Sequence, residues 1–415
     1  MAPRIHLGSC LVSALLLVVA LPVGLAGTPS TTLRSEVFEE VWTTVRDQFF
    51  DPHLNGVDWV SAKQRYSAKV DHAQTAEEFA AVVNQMLSEL RTSHTHYYTP
   101  QDPAYFHLCG IFWPVLEPKL KAFLTGGKPD YVGIGIFTEL KGGKTFVSGV
   151  LDGSPAASVG LKVGDEILRV DGAPFQAVGS FAGNANRPVE VQVKRASDGA
   201  PTIVTVTAKL LDPTTMFLDA MKASVQVIEH NGVKVGYLHI WSYAGEVYQD
   251  QLEEELDTRL HEADALVLDL RDGYGGAGPE HLRPFLVPPL TTTLIMRNGK
   301  HSAHEEAWTK PVCLLVNEGT KSGKEMIAYY FKRARRGSIV GTRTAGEVMA
   351  GRPFVLKDGS LLYLAVGEVL IEGRRAEGNG VTPDVEVPFT TEYAQGKDPQ
   401  KERAVEAVAS KVDSR

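Results

Sequence analysis

Apolar residues recur at helical spacing from Thr31 to about Thr92. Val37, Val41 and Val45 fall on one face, as do Phe79, Val82, Met86 and Leu90 further on. Thr75 followed by Glu78 is the capping-box pattern that opens a helix. The pattern stops at SHTHYY, residues 93–98, where β-formers begin. From about Tyr131 to Leu211 the chain changes to short alternating runs, FVSGV, EILRV, VEVQV and IVTVTAKL, separated by Gly, Pro and Asp. That spacing predicts a small β-rich module. From Ala223 onward, the strand-like runs VKVGYLHI, ALVLDL and PVCLLV alternate with helical stretches over Tyr248 to Leu260 and Ser322 to Ala334. Such alternation predicts a layered α/β domain. The mixed-charge tail from Gly396 to Arg415 reads as a terminal helix.

With 415 residues the chain is long enough for two or three domains, and 43% hydrophobic with 22% charged residues is a globular composition. The net charge of -8 comes without a basic stripe, which argues against a nucleic-acid partner. Arg4 and His6 precede an apolar stretch from Leu11 to Leu25 that ends in the small residues Gly24 and Ala26. This is the layout of an export signal, with cleavage expected near Ala26. The stretch contains Pro22 and falls short of the ~20 residues of a spanning helix, so no stable membrane span is expected after cleavage. Cys10 precedes the apolar core, so it does not mark a lipid-modified processing site. Cys109 and Cys313 remain, each inside an apolar run, and read as buried thiols rather than a disulfide framework. An exported chain, periplasmic or secreted, is the expectation.

Two segments run off apolar strands, where a layered fold tends to put its site: ALVLDLRDGYGGAG into glycines, and LLVNEGTKSGKEMIAYYF into a helix. A serine at a strand-to-helix turn has an exposed hydroxyl beside backbone N–H groups that favour negative charge. Ser322 with the N–H of Gly323 is therefore a candidate nucleophile and oxyanion donor, and Gly275 or Gly276 a candidate second donor. Ser322 taken alone reads more often as a helix cap than as a nucleophile. DGYGGAG lacks the Gly-Lys-Ser/Thr of a phosphate loop and fits no dinucleotide fingerprint. His94 and His96 are spaced as alternate strand residues, but no third metal ligand accompanies them; His301 and His304 lie in a polar loop with no completing pattern.

The segments LDLRDGYGG, VNEGTKSGKE, VGTRTAG and GNGVTPDVEV occur here in the order in which they occur in tail-specific and tricorn-core serine peptidases, and the chain resembles that family. SPAASVGLKVGDEILRVDGAPF resembles the helix-and-strand signature of PDZ domains, and YVGIGIF their carboxylate-binding loop. The resemblance implies an α/β crotonase-like peptidase core with a helical N-terminal region and an inserted β-rich PDZ-like domain. The implied divisions are a signal peptide over 1–26, a helical region over 27–130, a PDZ-like domain over 131–211, the peptidase core over 212–395 and a helical tail over 396–415. The C-terminal processing branch carries a lysine 25 residues after its nucleophile, and here that count from Ser322 reaches Glu347. A Ser-Lys dyad is thereby excluded. The tricorn-like branch takes its base from a Ser-His pair and a supporting glutamate before the GVxPD ending, which carries over to Ser93, His94 and Glu377. His94 would deprotonate Ser322 and return the proton to the leaving amine, with Glu377 and Ser93 orienting the imidazole. Glu347, in the place of the lost lysine, is a further candidate at the site.

By the same resemblance the partners are polypeptide substrates presenting free C-termini, held by the backbone of Gly133, Ile134, Gly135 and Ile136 while an extended peptide adds a strand. No metal or organic cofactor is implied, because histidine and backbone dipoles supply the charge management. Some relatives assemble, which leaves oligomerisation open. Two rival functions stand beside the enzyme: a catalytically inactive relative that binds peptides or other ligands, and a scaffold that uses only the PDZ-like groove.

Overall fold

Val37, Val41 and Val45 are fully buried along α1 (Thr31–Gln48). They face α2 (Trp59–His72) and α3 (Ala76–Ser88), where Trp59, Ala62, Tyr66, Phe79, Val83 and Met86 complete the packing. Val83 takes the core position on α3 and Val82 is only half-buried, because 3.6 residues per turn carries the apolar stripe from Phe79 to Val83 and then Met86. The Thr75 hydroxyl accepts from the Glu78 N–H, while the Glu78 carboxylate reaches past the cap to the N–H of Gln74. The structure, a computed structural model, describes residues 31–286, 291–297, 301–305 and 308–412. The expected signal peptide over 1–26, its cleavage near Ala26 and Cys10 lie outside the described residues.

The N-terminal helices do not close a core of their own. Beyond them β1 (His96–Tyr98) pairs antiparallel with β18 (Leu361–Gly367), which pairs in turn with β17 (Ala350–Val355). Leu362, Leu364 and Ala365 of this small sheet share the helices' core with Tyr97. Short helices α4 (Pro103–Ile111) and α5 (Trp113–Leu120) follow, with a proline at the first or second position of each, where its missing N–H is harmless.

The β-rich module begins and ends on one pairing, β2 (Tyr131–Gly133) against β9 (Lys209–Leu211), as an inserted domain requires. Between them lie β3 (Ile136–Lys141), β4 (Lys144–Val150), α6 (Pro155–Ser158), β5 (Glu166–Val170), β6 (Ala173–Pro174), β7 (Pro188–Lys194) and β8 (Thr202–Thr207). The sheet runs in the order β3-β4-β5-β7-β8, so β3 is an edge strand. Val189, Val191 and Val193 point inward at period two and are buried in the module's own core.

After α7 (Met216–Ser224) comes a six-stranded sheet. Its strands are β10 (Gln226–His230), β11 (Val233–His239), β12 (Ala265–Asp269), β15 (Val312–Val316), β16 (Ser338–Gly341) and β21 (Val385–Glu386), in that order across the sheet. All pairings are parallel except β10 with β11. Every residue of β12 and β15 is buried, as in a parallel strand covered on both faces. On one face Leu238, Leu266, Leu268, Leu314 and Val316 pack with α8 (Glu246–Asp257) and α10 (Gly323–Arg333). On the other, Val235, Val267, Cys313, Leu315 and Val340 pack with Ala404, Val405 and Val408 of the terminal helix α11 (Pro399–Ala409).

The remaining elements are α9 (Arg283–Leu286), the hairpin of β13 (Thr291–Ile295) and β14 (His301–Glu305), and the pair of β19 (Leu370–Ile371) and β20 (Arg374–Arg375). His301 and His304, read from sequence as loop residues, fall in β14, whose partner is the Thr-rich, β-branched run of β13. Cys109 and Cys313 are buried and unpaired. Burial pushes the Cys109 thiol up to about 12. Among the described residues no helix is long and apolar enough to cross a membrane.

Candidate active site

Strands β12 and β15 lie side by side and parallel, so the segments that leave their carboxyl ends arrive at the same place. From β12 comes the glycine run to Gly276, and from β15 comes the turn ending at Ser322. Gly275 is packed onto that turn: a Cβ there would stand 2.6 Å from Cβ of Ser322 and 2.8 Å from the nitrogen of Gly323. A Cβ on Gly323 would in turn meet the oxygen of Ala277 at 2.2 Å. Bare backbone on both sides is what allows the glycine run to close against the first turn of α10. Gly276 has φ +110°, a conformation that L side chains rarely adopt.

Ser322 stands immediately before α10 with φ 57° and ψ -130°. His94 (φ 54°) and Asp272 (φ 51°) are also left-handed. Such positions cost of order 1–3 kcal/mol each and persist only where the surroundings hold them. For Ser322 the holder is the segment after β16: its N–H donates to the carbonyl of Glu347 at 2.8 Å. That segment is held by Glu325, whose carboxylate accepts from the N–H groups of Gly346 (2.7 Å) and Glu347 (2.8 Å) and from the Thr344 hydroxyl. Burial raises the Glu325 carboxyl, and those hydrogen bonds oppose the rise.

His94 approaches from the N-terminal region, just before β1. A Cβ on Gly351 of β17 would lie 2.8 Å from its Cδ2, so the glycine leaves room for the imidazole. Nδ1 of His94 stands 2.9 Å from Oγ of Ser93, which donates to Oε2 of Glu377 at 3.0 Å. The same carboxylate accepts from the N–H of Ser93 (2.9 Å) and of Val348 (2.8 Å). The Ser93 hydroxyl has one proton, and the carboxylate takes it. Nδ1 must then be the donor to Oγ, which leaves Nε2 with a free lone pair. Burial, then the charge of Lys321, lower the His94 pKa to about 4 against the opposing pull of Glu377. The ring is neutral at pH 7, the state a general base requires.

Ser93, His94, Gly275, Gly276, Ser322 and Glu347 all line one cavity of about 760 Å³. Glu377 lies behind it, reaching the cavity through Ser93, and Gly323 is buried beneath the floor. Leu108, Ile111, Phe112, Met349 and Tyr363 give the cavity an apolar wall beside the nucleophile. His96 does not pair with His94 as alternate strand residues would, because β1 starts only at His96; its ring lies 4.5 Å from that of Tyr98. Among the described residues no three of His, Cys, Asp and Glu are grouped to hold a metal ion.

Gly133, Ile134, Gly135 and Ile136 are elsewhere, running from the end of β2 to the start of β3. The carbonyl of Ile134 accepts from Ala156, and that of Gly135 (φ +79°) from Leu151. Ile136 and Phe137 line a separate cavity of about 170 Å³ whose far wall is His107 and Tyr274. His107 is buried between the hydroxyls of Tyr131 and Tyr274, 2.9 Å from each. Tyr274 directly precedes the glycine pair, so the module's edge strand and the glycine run meet across one histidine.

Sequence reading alone overlooked His107, Lys321, Lys324 and Glu325. The KE of TKSGKE has the look of a solvated first helical turn, yet Lys324 is fully buried and Glu325 nearly so. The available signal was position: α10 has to bury its first turn to bring Ser322 against the glycines.

A serine at a strained strand-to-helix turn and a neutral buried histidine thus line one cavity, and a hydroxyl joins the histidine to a carboxylate. Residues 234–387 match the profile of peptidase family S41. Residues 31–88 match the tricorn protease C1 domain and residues 123–194 the PDZ domain. The putative tricorn protease homolog 2 of Streptomyces coelicolor is 27% identical over 398 residues, covering 89% of this chain and 32% of that protein. The carboxyl-terminal-processing protease of Synechocystis sp. is 25% identical over 368 residues, covering 83% of this chain and 79% of that one. The chain thus spans about a third of the tricorn homologue's length. Among solved structures, the tricorn protease shares the fold with a TM-score of 0.54 at 20% identity, over 92% of this chain and 37% of its own. The photosystem II D1 C-terminal processing protease does so with 0.52 at 22%, over 88% and 98%.

Proposed function

We propose that this protein is an exported endopeptidase that hydrolyses unfolded or flexible polypeptides through an acyl-enzyme on Ser322. The observation that carries the reading is the Glu377–Ser93–His94 chain of hydrogen bonds ending at the cavity that holds Ser322. His94 takes the Ser322 proton as Oγ attacks the scissile carbonyl. The tetrahedral oxyanion forms against the N–H groups of the 275–276 run and of Gly323, which supply neutral donors without reorganisation. The imidazolium is stabilised through Ser93 by Glu377 and passes its proton to the leaving amine. Water then repeats the sequence on the acyl-enzyme.

The core is of crotonase-like type in this reading, supported by its parallel sheet with helices on both faces. The edge position of β3 supports peptide addition beside Gly133 to Ile136, so that a substrate C-terminus is held at the PDZ domain. The divisions proposed are 1–26 signal peptide, 27–130, 131–211, 212–395 and 396–415, with no cofactor. Export rests on the charged and apolar pattern of the first 26 residues.

The test is hydrolysis of an unstructured reporter peptide by the chain from residue 27 onward, beside Ser322→Ala and His94→Ala. Cleavage lost in the first and cut strongly in the second is the expected result. A folded wild-type chain that binds C-terminal peptides but never cleaves would replace the peptidase reading with that of a binding protein.

A further inference from the structure

Lys324 has no solvent exposure. It sits two residues after the nucleophile on the inner side of α10, and its ammonium donates to two main-chain carbonyls, Asp272 at 2.8 Å and Trp241 at 3.4 Å. A buried cation whose hydrogen-bond acceptors are neutral carbonyls is an expensive arrangement, and an apolar side chain of similar volume would avoid the penalty. What it holds explains its presence.

The carbonyl of Trp241 also accepts from the N–H of Tyr274 at 2.8 Å, and the carbonyls of Tyr274 and Gly275 both face the N–H of Tyr243 at 3.2 Å. The loop after β11 and the glycine run after β12 are therefore laced together, with Ser242 and Tyr274 forming a parallel bridge. Within the run Asp272, Gly273 and Gly276 all have positive φ (51°, 66° and 110°). Gly273 also passes so near the Trp241 carbonyl that a Cβ would come within 1.9 Å of it. A loop in these conformations does not hold itself. Charge-assisted hydrogen bonds are the stronger kind, and here they join both loops to the helix that carries Ser322.

We infer that Lys324 is a positioning residue, whose ammonium clamps the 240–244 loop and the 271–276 glycine run against α10 and so fixes the donors at Gly275 and Gly276 relative to Ser322. The charged groups facing it are Asp272 and Asp269 from the end of β12 and Lys321 from the turn before α10. Burial lowers its own pKa to about 7 against the pull of the two aspartates, which fits an ammonium held by main-chain oxygens in a dry site. This inference rests on the oxyanion role proposed above for the glycine run, but its geometric half does not.

The test takes the chain from residue 27 onward as wild type and Lys324→Met, a swap of similar volume without the charge. Amide hydrogen exchange over residues 272–276 reads the clamp whatever the activity. The expected result is exchange at least tenfold faster in Lys324→Met, with no faster exchange in α8 and α11. Affinity for a peptidyl boronate, which becomes tetrahedral on a serine, is expected to fall about tenfold or more. Affinity for a non-covalent C-terminal peptide should stay within twofold. Unchanged exchange over 272–276 overturns the inference, as does an equal loss of boronate and peptide binding. If the wild type takes up no boronate while exchange still rises in Lys324→Met, the clamp stands and the peptidase reading fails.

Discussion

The hydroxyl of Ser93 donates to the carboxylate of Glu377 at 3.0 Å while standing 2.9 Å from Nδ1 of its neighbour His94. It links a loop of the N-terminal region to one near the end of the core, 284 residues on. One hydroxyl thereby fixes the tautomer of the candidate base. Ser93→Ala removes the acceptor for the Nδ1 proton, and Glu377→Ala removes the carboxylate that orders that hydroxyl. Either variant is expected to lower kcat about 100-fold or more while leaving KM near its wild-type value, measured on a reporter peptide.

The pH profile follows from His94. A base must be neutral to act, so activity is lost as pH falls through its folded pKa of about 4. We expect kcat/KM to be level from about pH 5 to neutrality and to decline in proportion to acidity below about pH 4. Lys321 depresses that pKa by its charge. Lys321→Met should therefore move the acidic limb to higher pH, and a limb that stays in place would remove Lys321 from the electrostatics of the site.

Gly275 is predicted to be intolerant of any side chain. Its added Cβ would stand 2.6 Å from Cβ of Ser322, so Gly275→Ala pushes the glycine run and the nucleophile apart. Loss of one oxyanion donor costs about 3 kcal/mol, or roughly 100-fold in kcat. The expected signature is a fall of that size in kcat with the melting temperature largely retained.

Lys324→Met is predicted to stabilise the fold in a pH-dependent way. The lysine titrates at about 7 when folded against an ordinary 10.5, so the folded state binds fewer protons than the unfolded one between those values. Wild-type stability therefore declines as pH falls from 10.5 and levels off below about 7. The gain in melting temperature of Lys324→Met should be greatest at pH 6 and shrink as pH rises toward 10, read by thermal unfolding.

Much of this arrangement was legible in the chain. The strand-to-helix turn at Ser322 and the glycine run show in the local pattern, the Ser93–His94 pair only through the family resemblance, and the buried strands β12 and β15 in continuous apolar runs. What escaped the sequence depends on contacts between distant segments. Nothing local to HYY at residues 96–98 says that it pairs with Leu361–Tyr363, or that α1 to α3 share a core with that hairpin. Lys324 and Glu325 look solvent-exposed by type, and only the closure of the glycine run over α10 buries them. His107 lies in the apolar helix α4, and its two tyrosine partners are 24 and 167 residues away.

That shared core makes a stability prediction. Phe79 of α3 packs edge-on against Tyr97 of β1, ring centroids 5.7 Å apart, and is buried. Phe79→Ala should lower stability by about 3–5 kcal/mol in denaturant titration. Because β1 starts two residues after His94, the residual folded fraction should also lose activity.

Activation of Ser322 by His94 is read most directly from the rate at which a fluorophosphonate adds to the folded protein, followed by intact mass and located by peptide mapping. One adduct is expected, on Ser322, absent from Ser322→Ala and formed at least 100-fold more slowly in His94→Ala. An adduct on another residue, or an unchanged rate in His94→Ala, would contradict that activation.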